Sequence, residues 1–271
     1  MMKISVCGKG GSGKSSITTL LANLTRDRGY QVLVVDSDES NSGLYRMLGF
    51  DVPPTPLMEL AGGKKKVQRQ MKSGFSPAES EQPMNVLAQH EISIEDIPYP
   101  HILQRDGIRL ICIGKILQSL EGCACPMGVL SREFLKKLHL KDNELTIVDM
   151  EAGVEHFGRG VETSIDGVLT VVEPSWESIT LAAKVNSMVA GSGVSNSWAV
   201  LNKVTSDEMA SKLKDELSKR GITAIGAIQY DPELFEACFE GRPLTGGKAA
   251  EQIGKVWDSL LSRLEPGVEG R

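Results

Sequence analysis

Eight consecutive residues near the start of the chain, Gly8-Lys9-Gly10-Gly11-Ser12-Gly13-Lys14-Ser15, have the make-up of a loop that wraps a phosphate chain. Such a loop needs backbone N–H groups turned inward, and glycine reaches the required conformations without steric cost. It also needs an ammonium group for the β and γ phosphates and a hydroxyl for Mg2+. Gly10, Gly11 and Gly13 meet the first need, Lys14 the second and Ser15 the third, with Ser12 and Ser16 beside them. A short apolar run precedes the loop and an amphipathic stretch follows it, so a helix N-terminus would face the anion. The expected ligand is ATP or ADP with Mg2+.

Three aspartates extend this chemistry. Asp36 and Asp38 end the run Val34-Val35-Asp36-Ser37-Asp38, and Asp149 closes Leu145-Thr146-Ile147-Val148. Carboxylates at the ends of strands beside a phosphate loop can hold Mg2+ or orient water. After Asp149 comes Met150-Glu151-Ala152-Gly153-Val154-Glu155-His156. Glu151 and Gly153 are read as a switch, in which Gly153 registers the γ-phosphate through its backbone and moves on hydrolysis. His156 is read as a switch or interface residue, not as a base.

A third cluster is Gly122-Cys123-Ala124-Cys125-Pro126. Thiolates one residue apart can grip one soft metal ion, Ni2+ or Zn2+, but a complete site takes about four ligands. One chain offers Cys123 and Cys125; a symmetric dimer offers four thiolates and one metal per dimer. The remaining cysteines, Cys7, Cys112 and Cys238, read as small core residues. Five cysteines, an odd number, in a chain expected to be cytoplasmic argue against a disulfide framework.

These groups must be positioned by an alternation of strands and helices. Apolar, β-branched runs at 3–7, 31–36, 109–113, 145–149, 167–172, 198–202 and 223–228 read as strands. Helical spacing appears at 14–28, 128–139, 175–189, 207–220 and 251–264. Near-continuous apolar strands alternating with helices indicate an α/β domain: a mostly parallel sheet with helices on both faces. Residues 62–107 break the rhythm with Lys64-Lys65-Lys66, a polar stretch through Pro83, and Pro98 and Pro100. They read as an excursion on a single domain spanning 1–271.

The composition narrows the partners. The 271 residues carry 30 Lys+Arg against 35 Asp+Glu, a net charge of -5, and only 5% aromatics, which disfavours a nucleic-acid surface. No run of roughly 18 apolar residues and no leader pattern is visible, so the expectation is a cytoplasmic protein without stable membrane association. The last helix has an apolar stripe, but Glu251, Lys255, Asp258, Arg263 and Glu265 give it a mixed-charge opposite side. Packing against the sheet is the better reading than a basic membrane-surface helix.

Lys9 carries the strongest resemblance. Lys-Gly-Gly-x-Gly-Lys-Ser resembles the deviant Walker A loop of the MinD, ParA and nitrogenase iron protein (SIMIBI) superfamily of P-loop ATPases. The resemblance implies that Lys9 crosses a dimer interface to the partner's nucleotide and acts there with Lys14 and Asp38 in catalysis. It implies that Asp38 activates the attacking water, that Asp36 lies near the Mg2+ shell with Ser15, and that Asp149 is a Walker B aspartate. It implies that Asn202 and Lys203 meet the adenine edge and that Tyr230, Asp231 and Pro232 border the base. Taken with Cys-Ala-Cys-Pro and Val-Asp-Met-Glu-Ala-Gly-Val-Glu-His, the loop Lys-Gly-Gly-Ser-Gly-Lys-Ser-Ser is similar to the CooC-type nickel-insertion ATPases. Ser12 and Ser16 stand where other members often have Val and Thr, changes that keep the needed chemistry.

This second resemblance implies an ATP- or metal-dependent homodimer with slow, dimer-dependent ATP hydrolysis. Its client would be carbon monoxide dehydrogenase or a related nickel enzyme. Two alternatives stay open on the sequence. A MinD- or ParA-like positioning ATPase would need a membrane or DNA surface. A reductase like nitrogenase iron protein would bridge a [4Fe–4S] cluster, but that family uses cysteines far apart in the chain.

Overall fold

The apolar runs pair into an eight-stranded sheet in the computed structural model, which describes residues 2–40, 42–73, 89–115, 125–153, 164–192, 194 and 196–264. The first half of the described chain runs β1 (Met2–Gly8), α1 (Lys14–Asp27), β2 (Gln31–Ser37), α2 (Leu44–Met47), α3 (Leu57–Leu60), α4 (Lys64–Ser73), β3 (Ile102–Arg105), β4 (Ile108–Cys112) and α5 (Cys125–Lys137). There follow β5 (Glu144–Met150), β6 (Gly167–Val172), α6 (Trp176–Ser192), β7 (Ser197–Val204), α7 (Asp207–Ser218), β8 (Ala224–Gln229), α8 (Pro232–Glu240) and α9 (Gly247–Leu264). The spatial order is β3-β4-β2-β5-β1-β6-β7-β8. Every pairing is parallel except β3 with β4.

The alternation of side chains along each strand assigns the two faces. Val32 and Val34 of β2, Ile4 and Val6 of β1, and Leu145 and Ile147 of β5 pack with Ile17, Leu20 and Leu21 of α1 and with Ile253, Val256, Trp257 and Leu260 of α9. Leu33 and Val35, Cys7, and Val148 and Met150 point the other way, onto Leu130, Phe134 and Leu135 of α5. Each large aliphatic buried in this way contributes about 1.5–3 kcal/mol, which is why strands with no polar alternation settle only in the middle of a covered sheet. The stripe of α9 is thus spent on the sheet and on α1, as its mixed-charge outer side suggested. Among the described residues no helix is long and apolar enough to cross a membrane.

The structure departs from the sequence reading in four places. Residues 62–107 are more than a polar excursion: they supply α4 and the edge strand β3, and bury Val67, Ile92, Ile94 and Ile97 in the core beside α5. β3 turns into β4 through Asp106-Gly107, both at positive φ (47° and 82°), the backbone a tight hairpin demands. α5 begins at Cys125, three residues before the expected start, because Pro126 is tolerated in a first turn where its missing N–H has no helical partner to serve. It ends at Lys137, where Ile92 takes over the backbone: Ile92 N donates to Lys137 O at 2.9 Å and His139 N to Ile92 O at 2.8 Å. α8 lay outside the expected elements, and α9 starts at Gly247, ahead of the expected residue 251.

Candidate functional site

The C-terminal ends of β1, β2 and β5 converge where the sheet reverses its winding. In the register, Asp36 of β2 lies opposite Asp149 of β5, and Val6 of β1 lies opposite Asp149 on the other side. The loop from Gly8 leaves β1 directly above them and enters α1 at Lys14. α1 has no side-chain cap and no acidic residue in its first turn. The N–H groups of its first turn and its partial positive charge therefore face an anion site. Its N-cap is Gly13 at φ 96°, and a Cβ there would fall 2.2 Å from Asn202 Nδ2, so both the backbone and the packing demand glycine.

A cavity of about 450 Å3 opens over this loop. Gly10, Gly11, Gly13, Lys14, Ser15 and Ser16 form its floor, Asp38 and Ala152 one wall, and Asn202, Lys203, Tyr230 and Asp231 the other. Ser12 is buried within the loop and Pro232 starts α8, and neither is part of that lining. Asp231 has a second task, because its Oδ1 caps α8 by accepting from Glu233 N at 3.0 Å and Leu234 N at 3.4 Å. Asn202 is buried and donates from Nδ2 to the Ser12 carbonyl at 2.7 Å, bracing the loop from β7. Lys203, at φ 58°, reaches back to the Gly11 carbonyl.

Ser15 Oγ donates to Asp149 Oδ2 at 2.6 Å, and Thr18 Oγ1 to Asp149 Oδ1 at 3.3 Å. Burial pushes the Asp149 carboxyl up to about 7; the Ser15 hydrogen bond only partly opposes this, and the Asp36 charge adds to it. Asp36 is raised to about 6, again chiefly by burial, against the pull of the Lys115 ammonium. Asp38 presents Oδ1 to Ser40, whose N and Oγ donate at 3.0 and 2.7 Å, and Oδ2 to Lys14 Nζ at 4.0 Å. A hydroxyl and buried carboxylates are the hard oxygen donors that suit Mg2+, and the glycine floor with Lys14 suits polyphosphate. The residues present therefore fit Mg2+ and a nucleotide.

Lys9 does not line the cavity. Its Nζ donates to Glu173 Oε1 at 2.9 Å, while Lys203 lies 3.3 Å from Glu173 Oε2. Burial would raise the Glu173 carboxyl, but the two lysines hold it below its ordinary value. Lys9 is raised by its hydrogen bond to Glu173. Gly153, at φ 107°, touches the loop through Gly153 N to Gly8 O at 3.3 Å, and half-buried Glu151 lies two residues before it.

Cys125 occupies the first position of α5 and is disulfide-bonded, contrary to the expectation of free thiols, while Cys123 and His156 lie outside the described residues. Among the described residues no three His, Cys, Asp or Glu side chains gather into a metal-binding group. Cys7 and Cys112 are buried, and burial raises their thiols to about 11 and about 12, as core residues should behave. Cys238 differs, lying half-buried on the cavity wall with Sγ 3.6 Å from Ser16 Oγ.

Sequence reasoning missed Lys115, Glu173, Thr18 and the α8 wall of Leu234, Phe235 and Cys238. Glu173 had a readable signal, since it follows directly on the apolar strand β6, the kind of place where Asp36 and Asp149 were found.

Comparison with known proteins agrees with this geometry. Residues 4–244 match the family described as the CobQ/CobB/MinD/ParA nucleotide binding domain. The chain is 45% identical over 243 residues to an uncharacterised ATP-binding protein of Methanocaldococcus jannaschii, covering 90% of this chain and 94% of that one. It is 30% identical over 275 residues to the carbon monoxide dehydrogenase accessory protein CooC of Rhodospirillum rubrum, covering 98% of each. Its fold is similar to that of the septum site-determining protein MinD of Pyrococcus horikoshii complexed with Mg-ADP, with a TM-score of 0.67, 20% identity, and 97% and 98% coverage.

Proposed function

This chain belongs to the CobQ/CobB/MinD/ParA nucleotide-binding family and is an ATPase, and we propose that it acts as a dimeric metallochaperone of the CooC type. In this reading, two chains close around one metal ion and deliver it, as nickel, to carbon monoxide dehydrogenase or a related nickel enzyme in the cytoplasm. Zinc fits the same thiolates. Cys123 and Cys125 from each chain, reduced to thiolates, supply the four ligands.

The nucleotide half of the cycle follows from the cavity. The N–H groups of Gly10, Gly11 and Gly13 to Ser16 hold the phosphate oxygens, and Lys14 sets its ammonium against the β and γ phosphates. Ser15 and Asp149, with Asp36 near them, would hold Mg2+, which supplies charge neutralisation to the phosphates. Asp38 orients water toward the γ-phosphorus; the new P–O bond forms as the bond to the bridging oxygen breaks, leaving ADP and phosphate. Lys9 enters from the partner chain and stabilises the charge that develops on the leaving oxygens. The outward turn of Lys9 to Glu173, away from its own cavity, supports that role. Asn202, Lys203, Tyr230, Asp231 and Pro232 border the base, and Glu151 with Gly153 report the γ-phosphate to the interface.

One observation carries the metal half. Cys125 opens α5, and the same helix hydrogen-bonds through Ser131 Oγ to Ser37 Oγ at 3.1 Å, between Asp36 and Asp38. A metal drawn to the start of α5 would therefore be mechanically tied to the hydrolytic turn. The test is metal stoichiometry after thiol reduction and anaerobic reconstitution with Ni2+ or Zn2+. The expected result is about one ion per dimer, abolished in C123A/C125A with ATP binding retained. Unchanged stoichiometry in that variant would exclude the site.

A further inference from the structure

Lys115 is the unassigned charge of this site. It follows β4 by three residues, and Ile113 N, between them, donates to the Asp36 carbonyl at 2.9 Å, so the chain is still pinned to β2 there. From that anchor the Lys115 ammonium lies 2.8 Å from Asp36 Oδ1 and 2.7 Å from Oδ2, and it also donates to the main-chain carbonyl of Asp38. Its side chain is only 13% exposed. One cation therefore holds a carboxylate and, two residues on, the backbone whose side chain faces Lys14.

The same backbone meets α5. A Cβ on Gly114 would fall 2.6 Å from Met127 Sδ and 3.0 Å from its Cγ, so the residue before Lys115 lies directly on the first turn of α5. Ser131, one turn later, holds Ser37 at 3.1 Å. The Asp36–Asp38 turn is thus gripped from two sides by elements that both rest on α5. Lys115 is not part of the cavity wall, and it can act on the nucleotide only through the two aspartates.

We propose that Lys115 is a positioning residue for hydrolysis, clamping the Asp36–Asp38 turn and linking it to the first turn of α5. It fixes where Asp38 presents its carboxylate, and any shift of α5 at Cys125 reaches the turn through Gly114 and Lys115. The proposal rests on the reading of Asp38 as the residue that orients water. Displacing such a group by about 1 Å can lower turnover about 100-fold, without removing the loop contacts that bind phosphate.

The test measures kcat and KM for ATP together with the affinity of a fluorescent ADP analogue, in K115M, K115R, S131A and D38N. K115M should lose at least about tenfold in kcat, with KM and analogue affinity within about threefold of wild type. K115R, which keeps the charge and donors, should recover most of the loss, and S131A should show a smaller fall in kcat alone. If K115M does not fold, K115Q carries the same test; unfolding of both would overturn the positioning role in favour of a folding role. Wild-type kcat in K115M, or an equal loss of kcat and analogue affinity that K115R does not restore, would overturn it as well. An unaffected S131A would overturn the link to α5. Full activity in D38N would instead remove the reading of Asp38, which separates the two failures.

Discussion

Replacing Asp149 with Asn should make the nucleotide-free protein more stable at pH 8 while abolishing its function. Asp149 is completely buried, and its carboxyl is raised from 3.8 to about 7, first by burial and then by the neighbouring Asp36 charge, with Ser15 and Lys14 pulling the other way. Between those values the folded chain keeps a proton that the unfolded chain has released. The unfolded state then binds fewer protons, so stability falls as pH rises from about 4 to about 7. A shift of roughly three units, at about 1.4 kcal/mol per unit, puts the destabilisation at about 4 kcal/mol above pH 7. Asn removes the ionisation and keeps an oxygen for the Ser15 hydroxyl, which donates at 2.6 Å.

Urea unfolding at pH 5, 6, 7 and 8 with chelator and without nucleotide measures this. Wild type should lose stability across the series. D149N should show a much flatter profile, keeping only the slope due to Asp36, and should exceed wild type at pH 8 by up to about 4 kcal/mol. Mg·ADP should restore wild type at pH 8 and do little for D149N. If D149N is the less stable protein at pH 8, with an unchanged slope, the buried carboxylate is not a stored electrostatic penalty relieved by the ligand.

Three further outcomes are expected. Gly13→Ala places a Cβ 2.2 Å from Asn202 Nδ2 at φ 96°, so it should destabilise the protein by at least about 1–2 kcal/mol and lose nucleotide binding, read by calorimetry. Lys9→Ala should bind nucleotide within about threefold of wild type but lose at least about 100-fold in hydrolysis, measured by phosphate release. Cys238, on the cavity wall, should be alkylated more slowly when Mg·ATP is bound, whereas buried Cys7 and Cys112 should stay unmodified throughout the native state, as read by peptide mass mapping.

Much of the core and the floor of the site was legible in the sequence, because both rest on local signals. The strands around β1, β2 and β5 are unbroken apolar runs, and the loop from Gly8 to Ser15 fixes its own geometry through residue type. Elements whose identity depends on tertiary context were harder to read. β3 is a four-residue edge strand with two exposed positions, marked only by Asp106-Gly107, and α8 is a short helix capped by an aspartate already read as a base contact. The start of α5 was hidden by Pro126, which resembles a helix boundary from either side. Lys115 escaped because ion pairing is a relation across 79 positions of chain that no spacing rule encodes. Asp36 and Asp149, by contrast, announced themselves as charges at the ends of apolar strands.

The most direct measurement is the mass of the particle in solution, by light scattering on a sizing column, combined with metal analysis of the same peak, with and without Mg·ATP. A dimer that carries about one nickel or zinc ion, forms only with nucleotide or metal, and disappears in C123A/C125A, is the expected result. A monomer under every condition, or metal bound in equal amount by C123A/C125A, would contradict the closing of two chains around a shared ion.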